Sequence, residues 1–486
     1  MLCENRAAIG VVEAYHGTMH SLRDIFESKA SQTPDEKRQE MITKPVRGLI
    51  LTLAAPSIIA NLVTSFYNLS DTFFVGRLGT SASGAVGIAF VAMTAIQAVG
   101  FYFGQGTGNA ISRYLGAEEY DKASVMASVG LLCSLVAGTL VAVLGNVFLD
   151  ELCYIMGSTE TILPYARAYM GTILIGAPWM ASSHLLNMQL RFEGESFFSM
   201  IALVTGSLLN VMLTPLLMFV FGMGIAGAAW ATISSQLVGF CLLVWESQRI
   251  GMVRIGPKWL RGCEGLRPGP AMLAEINNGG FPSFVRQVMF SVATSLLNNA
   301  AKPFGDAAIA AMTVVQRISG IGNFVQIGIG QGFQPVVGYN LGARRYDRIR
   351  EGYFFTIKVV FAAVLTVGVF TCIFAPQLIA FFRDDPDVVR IGTLTMRLVS
   401  FTMPLTGVAM ITNFLLQTSG RMWRATILGA CRLGLVLGPV VVVLSHFLGL
   451  TGVQIAQPMT DVITGLITIP MAASVLSELH QEEQPR

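Results

Sequence analysis

Charge is scarce in this chain: Asp, Glu, Lys and Arg make up 13% of its 486 residues. A water-soluble domain carries about one quarter. The polar surface needed to wrap a soluble globule is therefore missing, and a bilayer is the expected solvent. Cysteine is sparse as well, with seven residues, an odd number without close pairs. Most lie in apolar runs, where a free thiol acts as a small hydrophobe. That excludes a disulfide framework and any zinc spacing. The five histidines are scattered, so no metal site is expected. Residues 1–45 lack any uninterrupted apolar stretch and carry charges of both signs. They do not read as a secretory signal. They read as a cytoplasmic N-terminal extension holding a short amphipathic helix. A net charge of +3 gives no basis for a nucleic-acid partner.

What is abundant is apolar length. Hydrophobic residues are 53% of the chain and the mean hydropathy is +0.61. A span needs ~20 mostly apolar residues. Twelve segments qualify, near 48–74, 84–110, 124–149, 162–190, 197–221, 224–247, 273–301, 308–336, 352–382, 388–416, 423–446 and 450–474. A polar stretch at 248–271 reads as a cytoplasmic linker between an N-terminal six-helix bundle, 46–247, and a C-terminal one, 272–474. Residues 475–486 read as a cytoplasmic tail.

The two bundles repeat each other at an offset of 226 residues without a gap. Pro56-Ser57 returns as Pro282-Ser283, Gly104-Gln105-Gly106 as Gly330-Gln331-Gly332, Leu115-Gly116-Ala117 as Leu341-Gly342-Ala343, and Asn187 as Asn413. Six spans per half leave both halves in the same orientation. The expected fold is therefore an all-α integral membrane protein, two parallel six-helix bundles related by a pseudo-twofold axis along the membrane normal. Charge supports the count. With a cytoplasmic N-terminus, 22 of the 32 Lys and Arg fall in inside segments and 4 outside, with 6 within spans. This follows the positive-inside rule, and both termini are expected in the cytoplasm.

Acids inside the spans are few. Asp71 lies near the end of the first span, six residues before Arg77. A carboxylate at that depth is costly unless it faces a cavity, a partner or a bound cation. Two readings stay open at this point: an ion-coupling carboxylate, or an acid at the wet end of the helix paired with Arg77. The counterpart of Asp71 in the second half is Leu297, so the halves share a frame and differ in polar chemistry. Asp461, in the last span, is a second intramembrane acid. Arg432 sits too deep in its span to snorkel, and is expected to pair with an acid or a carbonyl. The Asp384-Asp385-Pro386-Asp387 run looks like a metal-binding cluster but falls in a short outside loop, where a solvated turn is the simpler reading. The glycine-flanked Gln105 and Gln331 read as helix-packing sites, because no strand precedes them as a phosphate loop requires.

The motifs name a family. Asp71-Thr72-Phe73-Phe74-Val75-Gly76-Arg77-Leu78-Gly79, Arg191-Phe192-Glu193-Gly194, Gln331-Gly332-Phe333-Gln334-Pro335 and Gly338-Tyr339-Asn340-Leu341-Gly342-Ala343 resemble the multidrug and toxic compound extrusion (MATE) family, over about 46–474. The resemblance implies a secondary antiporter in the cell inner (plasma) membrane. It would export small cationic or amphipathic organic compounds in exchange for protons or sodium ions, with no cofactor and no bound metal, and would sit in the lipid bilayer as a monomer. Asp71 matches the family's ion-coupling acid on the first helix. Asn210 and Thr232 match its supporting polar cluster. Relatives often carry a second aspartate just before a fifth-helix proline; here Thr214 precedes Pro215, which leaves one carboxylate. The seventh and tenth spans carry no acid in the regions where another branch places them, so the likeness is nearest the DinF-type branch. Tyr67, Asn68, Asn187 and Gln287 are candidate cavity-lining residues. Two rival functions are a flippase of a lipid-linked precursor, which predicts a strongly cationic cavity, and a membrane-embedded prenyl transferase, which needs paired acidic motifs for magnesium.

Overall fold

The computed structural model of the chain describes residues 27–264 and 266–483, apart from the side chains of Asn68, Leu69, Thr72, Thr80 and Glu483. It is helical almost throughout. Among the described residues the only β feature is an isolated bridge between Cys263 and Leu266. In a bilayer each helix satisfies its own backbone, which suits a chain with so few polar groups to spare.

Among the described residues twelve membrane helices account for the twelve expected spans. The first six are Val46–Gly76, Thr80–Gly116, Tyr120–Val147, Leu163–Ile175 continued by Ala177–Phe192, Ser196–Pro215 continued by Leu216–Val220, and Gly224–Arg249. The second six are Pro270–Ala301, Asp306–Gly342, Tyr346–Ile373, Pro386–Thr418, Met422–Ala430 continued through Cys431–Leu435 to Leu437–Leu448, and Leu450–Glu483. Ten are long and apolar enough to cross a membrane by length and composition alone. The fourth fails because it is broken at Gly176, and the seventh because it carries Glu275, Asn277, Asn278, Arg286 and Gln287.

The repeat survives at the level of bonds. The second and eighth helices, and the third and ninth, begin and end at positions 226 residues apart. The Asn187 amide donates to the Ser199 carbonyl at 2.9 Å, and its counterpart Asn413 donates to the Ala425 carbonyl at 2.6 Å. Two sequence boundaries move. The ninth span ends at Ile373, and Ala375–Phe382 is a separate short helix that restarts at Pro376. The C-terminal tail continues the twelfth helix to Glu483, clasped where Arg421 and Arg424 both reach Glu478, at 2.7 and 2.6 Å. The described part of the N-terminal extension holds a helix, Pro34–Thr43, capped by Thr33 and Glu36.

Packing defines the shape. One apolar core lies at the end of the bundle that bears the termini and draws on both lobes: Ile50, Leu53, Ile111 and Leu115 meet Ile276, Ile329, Phe333 and Tyr339. Toward the other end this core divides in two. One part, around Val75, Ile96 and Tyr169, belongs to the N-terminal lobe, and the other, around Leu297, Met312 and Val453, to the C-terminal lobe. The molecule is a V, closed at the terminus-bearing end and open at the opposite end. Glycines make the closed seam. A Cβ on Gly106 would stand 2.3 Å from the Ile276 carbonyl oxygen, and one on Gly332 would stand 2.5 Å from the Ala54 nitrogen. Polar ties cross the same seam: Gln105 and Gln334 exchange amide hydrogen bonds at 3.4 and 3.0 Å, and Arg191 donates to Gln331.

A clasp surrounds the seam. Lys37, on the pre-membrane helix, pairs with Glu195 at 3.0 Å and also reaches the Ile250 carbonyl. The neighbouring Glu193 carboxylate accepts the Met252 and Val253 amides at 2.6 and 3.1 Å, fixing the start of the linker. Burial pushes the Glu193 carboxyl up to about 8, against those hydrogen bonds and the nearby Lys37 charge, which favour the ionised form. A raised acid holds its proton in the native state when the unfolded chain has lost it. Stability should therefore fall as pH rises from the unfolded value of 4.5 toward about 8, then level off. Thermal unfolding of wild type across that window should show this slope, and Glu193→Gln should flatten it; an unchanged slope in the variant would assign the effect elsewhere.

Candidate functional site

Asp71 lies in the interior of the N-terminal lobe, above the shared core, with 7% of its surface exposed. The first helix delivers it five residues before its end at Gly76. The Tyr169 hydroxyl donates to one carboxylate oxygen at 3.1 Å and the Thr214 hydroxyl to the other at 3.3 Å. Tyr169 also stands beside Thr232. Asn210 donates to the Thr232 hydroxyl at 3.1 Å. Asp71, Asn210, Thr214 and Thr232 are thus brought together from the first, fifth and sixth helices. Arg77 points away, with its guanidinium over the Phe73 ring at 4.8 Å. Among the described residues Asp71 is in no ion pair, and neutral donors alone hold it.

The fifth helix is irregular at this point. Pro215 follows Thr214 and lacks the amide that would bond the Val211 carbonyl. The next five residues, Leu216–Val220, wind as a π-helix. Such single-turn insertions recur at functional sites. A side chain bound to Asp71 and a loosened turn are adjacent in one helix.

Tyr169 is the member that sequence reasoning missed. The available signal was a tyrosine hydroxyl inside an apolar run, which must find a partner when buried. Of the candidate lining residues, Tyr67 is buried one turn before Asp71, with its hydroxyl toward Gln236. Gln287 is half-buried on the seventh helix. The Asn68 side chain lies outside the described residues. Asn187 does not line a cavity: it is buried with its amide committed to Ser199, and the repeat of that bond at Asn413 makes it a tie between consecutive helices.

The MatE family model matches residues 56–216 and 282–444, one match in each lobe. The chain belongs to the MATE family. Multidrug export protein MepA of Staphylococcus saprophyticus is 26% identical over 408 residues, covering 83% of this chain and 88% of the relative. Its Staphylococcus aureus (strain MSSA476) counterpart is 26% identical over 423 residues, covering 86% and 92%. A structure described as the outward-facing conformation of a multidrug resistance MATE family transporter superposes with a TM-score of 0.86 at 27% identity, covering 92% of this chain and 99% of that one. As a MATE transporter the chain is a multi-pass membrane protein and not an enzyme. The Asp384–Asp387 run fits that conclusion: Asp385 caps the tenth helix by accepting the Asp387 and Val388 amides at 3.0 and 3.2 Å.

The C-terminal lobe of this MATE protein is built differently around its pseudo-equivalent position. Leu297 is 3% exposed in that lobe's own apolar core. The lobe's buried acid is Asp461, which pairs with Arg432 at 2.9 Å and accepts the Thr402 hydroxyl at 3.2 Å. Arg432 thus finds the acidic partner its depth demanded. Removing one member of a buried pair leaves the other charge uncompensated, at roughly 3–5 kcal/mol. Arg432 is partly exposed, so Asp461→Ala should lose about 3 kcal/mol of stability. Thermal unfolding in detergent should show the loss, with partial recovery when Arg432→Met is added; no shift would make the pair dispensable.

Proposed function

We propose that this MATE transporter is a multidrug efflux antiporter. It exports cationic or amphipathic organic compounds in exchange for protons or sodium ions, and Asp71 is the coupling carboxylate. The observation that carries the reading is a buried carboxylate held, among the described residues, only by neutral hydroxyls. A native acid with no cationic partner leaves room for an exchangeable one. A proton or sodium ion arriving from the open side neutralises Asp71. The hydrogen bonds that Thr214 and Tyr169 donate to Asp71 and the loosened turn after Pro215 then repack. The cation-favouring field in the N-terminal lobe disappears and substrate leaves. After the ion is released on the far side, the bare carboxylate again favours a cation. Coupling follows because ion and substrate select different states of one site. The excess of Lys and Arg on the terminus-bearing side supports termini in the cytoplasm of a cell inner membrane. With that orientation the open end of the V faces outward.

The experiment is transport of a fluorescent organic cation by the full chain in proteoliposomes, with pH and sodium gradients imposed separately. Efflux driven by one gradient and not the other names the ion. Transport indifferent to both gradients would overturn antiport.

A further inference from the structure

A second cleft, at the terminus-bearing end of the N-terminal lobe, takes no part in the Asp71 mechanism. It has a volume of about 440 Å³ and lies between the pre-membrane helix, the first turns of the first helix and the start of the fifth. Small-molecule sites commonly measure ~300–1,000 Å³. Its walls are apolar: Met41 comes from the pre-membrane helix, Leu49 and Leu53 from the first helix, and Phe197 and Phe198 from the fifth. Gly48 and Thr52 line it from the same stretch of the first helix, and both are exposed. The span begins at Val46, so Thr52 stands six residues, roughly 9 Å, into the membrane. The cleft therefore opens sideways toward lipid.

The rim of this cleft is basic. Lys29 and Lys44 both reach one oxygen of Glu40, at 3.4 and 3.1 Å, and Gln32 donates to its other oxygen at 3.0 Å. One carboxylate carries one charge, so the two ammonium groups outweigh it, and both are partly exposed. Deeper in, Lys37 is balanced by Glu195 at 3.0 Å. Glu193, the remaining acid of the lining, holds its proton up to about 8 because burial disfavours its charge. At neutral pH the lining thus sets three lysines against two ionised glutamates. Ammonium groups at the mouth with apolar walls behind them suit an amphiphile with an anionic head. In the leaflet beside the termini such amphiphiles are anionic phospholipids, which basic pockets at the cytoplasmic ends of membrane helices collect. Because both lysine nitrogens meet at one oxygen, a single phosphate can bond the two together.

We infer that this cleft seats one anionic phospholipid, with its phosphate at Lys29 and Lys44 and an acyl chain along Leu49, Leu53 and Phe197. The two membrane helices that grip the lipid are those that carry Asp71 and Thr214. The test is titration of the full chain in detergent with phosphatidylglycerol or phosphatidylcholine, read by native mass spectrometry. Wild type should take up one phosphatidylglycerol with a Kd at least about tenfold below that for phosphatidylcholine, the preference expected of one charge-assisted hydrogen bond. Joint replacement Lys29→Gln and Lys44→Gln should raise the phosphatidylglycerol Kd to the phosphatidylcholine level. Gly48→Phe keeps every charge and fills the cleft instead; a Cβ there meets nothing within 4 Å, so the helix need not move. It should weaken phosphatidylglycerol by about tenfold or more as well. Equal binding of the two lipids by wild type would overturn the site, as would an unchanged phosphatidylglycerol Kd in either variant. Glycerol phosphate, a head without chains, should fail to displace the lipid; displacement at lipid-like concentrations would make free phosphate the ligand and sink the lipid assignment. Binding is read without a gradient, so its outcome is separate from coupling at Asp71.

Discussion

Asp71→Asn should abolish ion-driven efflux, lowering the gradient-dependent rate on the order of 100-fold, while the protein remains folded. The amide has the shape of the carboxylate and keeps an oxygen to accept from Tyr169 or Thr214, whose hydroxyls now bond Asp71 at 3.1 and 3.3 Å. What it cannot do is change charge. Binding and release of the ion would no longer alter the field in the N-terminal lobe, and the two states would lose their distinguishing ligand. Because a neutral side chain is cheaper to bury than a charged one, thermal stability should hold or rise slightly. The informative result is therefore the combination of intact folding, measured by monodisperse size exclusion and unchanged melting, with lost transport. Gradient-driven efflux at the wild-type rate from Asp71→Asn would remove the carboxylate from the mechanism.

The second large effect is expected at the glycine seam. Gly106→Val places three carbons where the first alone would stand 2.3 Å from a backbone oxygen. Backbone cannot swing aside as a flexible side chain can. The seventh helix must move away, and the lobes part at the end where they now meet. Gly332→Val does the same from the other half, against the Ala54 backbone at 2.5 Å. Each variant should depress efflux at least about tenfold by biasing one conformation. Spin labels report the displacement: with the seven native cysteines replaced, Asp121→Cys and Arg350→Cys sit on opposite lobes at the seam end. Their distance should lengthen in either glycine variant. A wild-type distance with impaired transport would mean that the seam does not set the state.

Much of the fold is legible in the sequence. The 226-residue register predicted the paired helices, because sequence period and structural period coincide wherever both halves pack the same way. Asp71, Asn210, Thr214 and Thr232 were reachable through family motifs, and they do converge. Tyr169 was not, since a hydroxyl inside an apolar helix gives no sign of which helix it will meet. Asn187 reads from the sequence as a cavity-lining residue because its acceptor is a backbone carbonyl, a group every residue carries. The Arg432–Asp461 pair was half legible: depth demanded a partner, but only the fold could choose among the available acids. Arg77 could not be assigned from spacing. Six residues put it within reach of Asp71, and the aromatic ring of Phe73 took it instead.

The linker has a mechanical consequence. It does not hang free between the lobes: the Arg254 and Gly256 amides donate to Ser124 and Ser128 of the third helix, each at 3.1 Å, and Trp259, Leu260 and Leu266 pack into the core beside them. The seventh helix begins at Pro270. Only Arg267, Pro268 and Gly269 remain to stretch, a leash of roughly 10 Å when fully drawn out. So short a tether sets a ceiling on how far this edge can gape, and leaves the wider swing to the side remote from it.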